Sequence, residues 1–318
     1  MCPRNRPDNC CRSLRTMSAP HRIVSLLPSA TEILFALGVG DNVIGVTFEC
    51  DTPAEARTRR IVSTSAIPDG LSPGEIDAIV RERTAAGEDL YHLERDALAD
   101  LNPDLIVTQD LCAVCALDTA EVTDALAHLG CSSDVVSLDP RTLDEVLDTV
   151  ATLGAAVGRA DVAARTIADC RAQLSNLASR MATTPTRRVL VVEWCTPVFG
   201  AGHWIPELVV AAGGEPVLAA PGAHSHPIDD DEVRACGADV VIIAPCGFDT
   251  DGAADQARAM IDAGALPPGA DVWAIDADHL IVRPSPALVQ GAQVIAQILH
   301  PNLAGTPAAD HALFVGQS

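Results

Sequence analysis

Between residues 142 and about 183 the sequence TLDEVLDTVATLGAAVGRADVAARTIADCRAQLSNLASRMA holds no strand candidate and keeps a helical period throughout. On either side the chain alternates differently. Short apolar runs such as RIVSLLP, NVIGVT, RIVS, DLIVTQ and DVVSLD precede it, and RRVLVVEW, DVVIIAP, DVWAID and LIV follow it, separated by amphipathic segments. Runs of that length flanked by helices read as strands of a parallel sheet buried on both faces. The pattern therefore predicts an α/β protein of two Rossmann-like lobes, residues 21–140 and 186–300, joined by a long backbone α-helix within 141–185. Gly154 and Gly158 permit a bend in that helix. A helix is expected over 73–86, another near 118–129, and a last one from about 286 to 299. Ser29 is placed to cap a helix, with Glu32 three residues on as in a capping box. Residues 1–20 are expected to be disordered and 301–318 to form a loosely held tail.

Composition narrows the functional classes. Of 318 residues, 48% are hydrophobic, enough for two cores. Acidic residues number 43 against 21 basic, for a net charge of -22, which disfavours nucleic acid as a partner. Every basic side chain other than histidine is arginine, so neither a P-loop lysine nor a Schiff-base lysine is available. The eleven cysteines are odd in number and irregularly spaced, unlike a disulfide framework. No apolar run reaches membrane-spanning length and the first twenty residues lack an apolar signal core, so no membrane insertion and a cytoplasmic location are expected.

Ligands of open α/β sheets bind beyond the carboxyl ends of the strands. Cys50, Cys112, Cys195 and Cys246 each follow a strand candidate, and Cys115 lies three residues after Cys112. Such thiols are either small buried hydrophobes or lining groups of a cleft. Cys112 and Cys115 with Cys195, His203 and Cys246 would make an N/S site suited to zinc or iron. The stretch EWCTPVFGAGHWIPE concentrates Trp194, Phe199, His203 and Trp204 in one post-strand loop, which suits a flat ligand or a hydrophobic plug. PGAHSHPID brings His224 and His226 onto one side of an extended segment, where a solvated loop is the simpler reading. Arg283, between a strand candidate and a helix, either binds a ligand's carboxylate or phosphate or pairs with the chain's own acids. A Cys195–His203 nucleophilic couple can be drawn, but nothing in the sequence supplies its oxyanion site. No catalytic residue is assigned.

The segments RIVSLLPSATEILFALGVGDNVIGVT, LADLNPDLIVTQ and PELVVAAGGEP resemble the helical-backbone periplasmic binding proteins, the iron-chelate and cobalamin receptors of ABC importers. The likeness spans about residues 21–300. ECDTP, TQDLCAVCA, EWCTPVFGAGHWIPE, APCGF and RPSPALVQG are similar to a subgroup labelled cobalamin-binding proteins, whose first motif often begins with His where this chain has Phe48. The resemblance implies the class III periplasmic-binding-protein fold and a cobalamin or related metal-chelate ligand held between the lobes. It also implies Ser29, Thr31, Phe48 and Gln109 as ligand-binding positions beside Trp194, Phe199, His203, Trp204 and Arg283, and an ABC permease as partner. A zinc or iron–sulfur protein, or an enzyme using that metal or a thiol, is the alternative expectation.

Overall fold

The computed structural model describes residues 22–68, 70–109 and 133–318. The expected helix near 118–129, Cys112, Cys115 and the segment 1–20 lie outside them.

The first lobe is built on β1 (Ile23–Ser25), α1 (Pro28–Ala36), β2 (Val43–Val46), β3 (Arg60–Ile61), β4 (Ser63–Ser65), α2 (Pro73–Ala86), β5 (Tyr91–Leu93), α3 (Arg95–Leu101), β6 (Leu105–Thr108) and β7 (Asp134–Ser137). Its sheet runs in the order β3-β2-β1-β6-β7 with every pair parallel, as the continuous apolar runs predict. β4 and β5 form a separate antiparallel pair. The expected capping by Ser29 does not occur. α1 starts two residues earlier than a Ser29 cap would place it, at Pro28, whose fixed φ and missing N–H suit a first helical position, and Ser29 lies buried inside the helix. Glu32 is thereby free to reach another lobe. The expected helix over 73–86 is α2, opened by a Ser72–Glu75 capping box and closed by Gly87 in the left-handed conformation.

The long helical stretch is a pair, α4 (Leu143–Ala156) and α5 (Ala160–Met181). Thr142 Oγ1 accepts from the Glu145 N–H at 3.3 Å and Glu145 Oε2 accepts from the Thr142 N–H at 3.1 Å. Gly158, at φ +69°, supplies the left-handed step between the two helices. Val146 and Leu147 pack into the core of the second lobe, whereas Val150 and Leu153, one and two turns on, pack into that of the first. One helix thus belongs to both cores, which ties the lobes together without a flexible linker.

The second lobe follows with β8 (Arg187–Cys195), β9 (Val198–Gly200), α6 (Ile205–Ala211), β10 (Gly214–Pro216), β11 (His226–Pro227), α7 (Asp230–Ala235), β12 (Val240–Ile243), α8 (Thr250–Asp262), β13 (Asp271–Ile275), α9 (Leu288–Leu299), α10 (Pro301–Ala304) and β14 (Ala312–Gln317). β10, β8, β12 and β13 pair in parallel, while β9, β11 and β14 add antiparallel edges. Two expectations are corrected here. LIV at 280–282 is not a strand but the end of a π-helical turn, Asp278–Val282. The tail at 301–318 is not loosely held: α10 occupies its start, and β14 pairs with β13 along its length.

α9 approaches that π-helical turn closely. A Cβ on Gly291 would sit 2.0 Å from the Leu280 carbonyl oxygen, a backbone atom that cannot swing aside. Gly291→Ala is therefore expected to lower stability by about 1–3 kcal/mol through forced separation of the two segments. Chemical denaturation reads it; an unchanged midpoint would mean that the contact relaxes freely.

Candidate functional site

The carboxyl ends of β2 and β13 bring acids from both lobes to one place. Asp51 follows β2, whereas Asp276, Asp278 and His279 follow β13 and Arg283 ends the π-helical turn. The Arg283 side chain is only 11% exposed and crosses between lobes. It donates to Asp51 Oδ1 at 2.5 Å and to Glu32 Oε1 at 3.4 Å, and it lies 3.7 Å from Asp278 of its own lobe. His279 Nδ1 meets Asp276 Oδ2 at 2.9 Å, and its Nε2 lies 3.6 Å from Asp51. The exposed Arg57 also approaches Asp51, at 3.6 Å. Asp51 is therefore the common partner of three cations. Beside it opens a cleft of about 350 Å³ lined by Asp51, Gly247, Phe248, Asp249, Asp276, Asp278 and His279.

The electrostatics follow from burial and pairing. Burial would raise the Asp51 carboxyl, but hydrogen bonds from His279 and Arg283 hold it well below the usual carboxylate range. His279 is raised to about 10 by its hydrogen bonds to Asp276 and Asp51. Glu32 and Asp278 are pushed up by burial despite Arg283 nearby. Glu49, two residues before Asp51, is lifted to about 7 by burial, although the Tyr91 hydroxyl donates to it at 3.1 Å. Among the described residues the region holds more carboxylates than cations, six acids against Arg57, His279 and Arg283. Nothing in this arrangement aligns a nucleophile with a base and an oxyanion site; it can bind and discriminate.

The sequence-derived positions distribute unevenly around this centre. Arg283 lies within it, held by the chain's own acids. Trp194 is half-buried, donates Nε1 to the Thr196 carbonyl at 3.0 Å, and stands 6.1 Å from the ring of Phe248 at the cleft wall. Phe199 pairs with Trp194 across β8 and β9 and is half-buried. Phe48 packs on Tyr91, ring to ring at 5.7 Å. Ser29, Thr31 and Gln109 are buried, and the Thr31 hydroxyl lies 2.9 Å from Ser25 Oγ and 3.0 Å from Cys50 Sγ. Trp204, expected to stack on a ligand, is only 5% exposed, belongs to the apolar core of the second lobe and donates Nε1 to the Ile281 carbonyl at 2.7 Å. Its indole has a complete set of partners without a ligand. His203 takes a left-handed φ of +52°, fixed by a hydrogen bond from its N–H to Ala223 at 2.6 Å and one from Gly222 to its carbonyl at 2.9 Å. Its ring meets His224 edge-on at 5.4 Å and leaves Nε2 buried without a hydrogen-bond partner.

The proposed zinc or iron site finds no support among its described members. Cys195 is buried in an apolar cluster with Val192, Val198 and Ile243, and burial pushes its thiol up to about 12, away from the thiolate a metal needs. Cys246 is exposed. Among the described residues no group of three or more His, Cys, Asp or Glu side chains is placed to hold a metal ion. Cys112 and Cys115 lie outside the described residues.

Sequence reasoning missed Asp51, Glu49, Asp276, Asp278 and His279. A signal was present: ECDTP follows β2 and AIDADHL spans the end of β13, so the strand-end rule that singled out cysteines applied equally to these acids.

Comparison with known proteins bears on the family and the fold. The profile of the family described as "Periplasmic binding protein" matches residues 23–263. A "Vitamin B12-binding protein" of Vibrio cholerae is 24% identical over 200 residues, 62% of this chain and 61% of that protein, so the chain matches less than two thirds of that relative's length. A "Cobalamin-binding protein" of Halobacterium salinarum is 24% identical over 309 residues, 94% of this chain and 74% of that protein. Among solved structures, a periplasmic haem-binding protein from Pseudomonas aeruginosa superposes with a TM-score of 0.69 at 18% identity, over 94% of this chain and 98% of that one. The periplasmic vitamin B12 binding protein of Vibrio cholerae gives 0.61 at 22% identity, over 92% and 100%. At such identities the superpositions speak for the fold alone.

Proposed function

The chain belongs to the periplasmic binding protein family, and from that membership we propose that it binds cobalamin or a related metal chelate between its two lobes. The observation that carries the reading is the meeting of strand ends: Asp51 from one lobe and Asp276, Asp278 and His279 from the other border a common cleft, and Arg283 joins the lobes through Asp51. The relative from Halobacterium salinarum, aligned over nearly the whole chain and named for cobalamin, favours a corrinoid within the family's ligands. A corrinoid is much larger than the present cleft, so binding requires the contacts of Arg283 with Asp51 and Glu32 to part. Phe248 lines the cleft and Trp194 stands 6.1 Å from it, an aromatic surface for the ring. The role is binding, not catalysis.

Titration of the full chain with cyanocobalamin, followed by calorimetry and by the visible spectrum, tests this directly. Saturable one-to-one binding with a Kd of about 1 μM or tighter is expected. Binding of hemin but not of cyanocobalamin would move the assignment to another chelate, and no saturable binding of cyanocobalamin, hemin or a ferric siderophore would overturn it. Delivery to an ABC permease is a further proposal and requires a location outside the cytoplasmic membrane. Fractionation of native cells decides that point: recovery in the cytosol removes the transport role and leaves ligand binding untouched.

A further inference from the structure

The cleft's charge says more about its ligand than its shape does. The first lobe presents Glu32, Glu49 and Asp51 to this region, and the second presents Asp249, Asp276 and Asp278. Among the described residues three cations touch these acids, Arg57, His279 and Arg283, and all rest on Asp51, at 3.6, 3.6 and 2.5 Å. Arg283 is further held by Glu32 and Asp278, and His279 by Asp276. A carboxylate on an incoming ligand would have to displace one of these acids to reach a positive charge, and would leave that acid unpaired in a partly buried place. Parting of the lobes does not reverse the balance: the second lobe's three acids still outnumber Arg283 and His279.

Resting on the metal-chelate reading above, we propose that pairing of Arg283, His279 and Arg57 on Asp51 makes the cleft selective for ligand charge. It admits chelates with a periphery of amides or hydroxyls, or with a positive charge, and rejects those that carry carboxylates. Amide N–H groups find acceptors on Asp51, Asp276 and Asp278, and a carboxylate meets more acids than cations. Asp51 is the specificity-determining residue, because among the described acids it alone contacts all three cations.

Two corrinoids with the same ring and opposite peripheries separate charge from shape: dicyanocobinamide, which carries amides, and dicyanocobyrinic acid, which carries carboxylates. Both are titrated into the full chain at pH 8 and low salt, with intrinsic tryptophan fluorescence as readout. The amide is expected to bind more tightly by on the order of 100-fold, the scale of one uncompensated like-charge contact near a protein surface. Asp51→Asn is expected to narrow that ratio at least about 10-fold by removing the one acid that all three cations share. Asp276→Asn, which removes an acid held only by His279, is expected to narrow it in the same direction and serves if the first variant does not fold. Equal affinity of the wild-type chain for the two corrinoids overturns the charge assignment alone, as does a ratio unchanged in the folded variants. Failure of both corrinoids and of cyanocobalamin to bind overturns the ligand reading, and with it this inference.

Discussion

Arg283→Met is expected to destabilise the folded chain by about 3–5 kcal/mol, the cost of removing one partner from a buried charge cluster. Methionine keeps most of the volume, so the loss is electrostatic. It leaves Asp51, Glu32 and Asp278 facing one another across the lobes with only His279 and the exposed Arg57 to compensate. The side chains of Arg283, Glu32 and Asp51 are 11%, 10% and 20% exposed, so water screens little of the repulsion. In calorimetry the melting temperature should fall by at least about 4 °C, taking about 1.5 °C per kcal/mol from the average unfolding entropy per residue for a chain of this size. Adding Glu32→Gln should restore part of the loss, since the penalty lies in the orphaned acids. A drop below about 1 kcal/mol, with no rescue, would mean that the cluster behaves as an exposed surface pair.

The lobes were legible in the sequence because buried parallel strands carry their signal locally. Val240–Ile243 is apolar at every position and buried at every position, so no knowledge of its neighbours is needed to see a strand there. The helical pair was legible for the same reason: Cys170, Leu174, Leu177 and Met181 recur at helical spacing and form the buried face of α5. What escaped depends on partners far away in the chain. β14 carries an apolar run, Ala312 to Val315, as long as others read as strands, but it follows a proline-rich stretch and pairs with the edge that β13 offers. The fate of Trp204 turned on the Ile281 carbonyl, 77 positions on, and that of Arg283 on Asp51, 232 positions back. Pattern reading places a side chain at a strand end, but only tertiary structure tells which neighbour reaches it first. The cysteines drew attention because they are chemically distinctive; the aspartates, common throughout an acidic chain, did not.

Stability should also depend on pH through Glu49, in a direction opposite to that of a salt-bridged carboxylate. Burial lifts this group from 4.5 to about 7 in the folded chain, with Asp278 and Asp51 adding repulsion and only Tyr91 and Arg283 opposing. Between those values the folded chain keeps a proton that the unfolded chain has released, so folding stability falls as pH rises through the window. The fall amounts to about 3 kcal/mol, complete near pH 8. Glu49→Gln keeps an oxygen for the Tyr91 hydroxyl and removes the charge. The variant should match the wild-type chain near pH 4.5 and exceed it by about 3 kcal/mol at pH 8. Other groups tilt both curves alike. Glu32 and Asp278 are raised as well, so their contributions also weaken as pH rises. That of His279, raised to about 10, is full below 6.5 and is lost as pH climbs through 10. Asp51 is depressed, so its contribution is lost only in strong acid, below the window. The difference between the two curves therefore isolates Glu49. Guanidinium unfolding of both chains from pH 4.5 to 8.5 measures it, and a flat difference would mean that Glu49 ionises as freely in the folded chain as in the unfolded one.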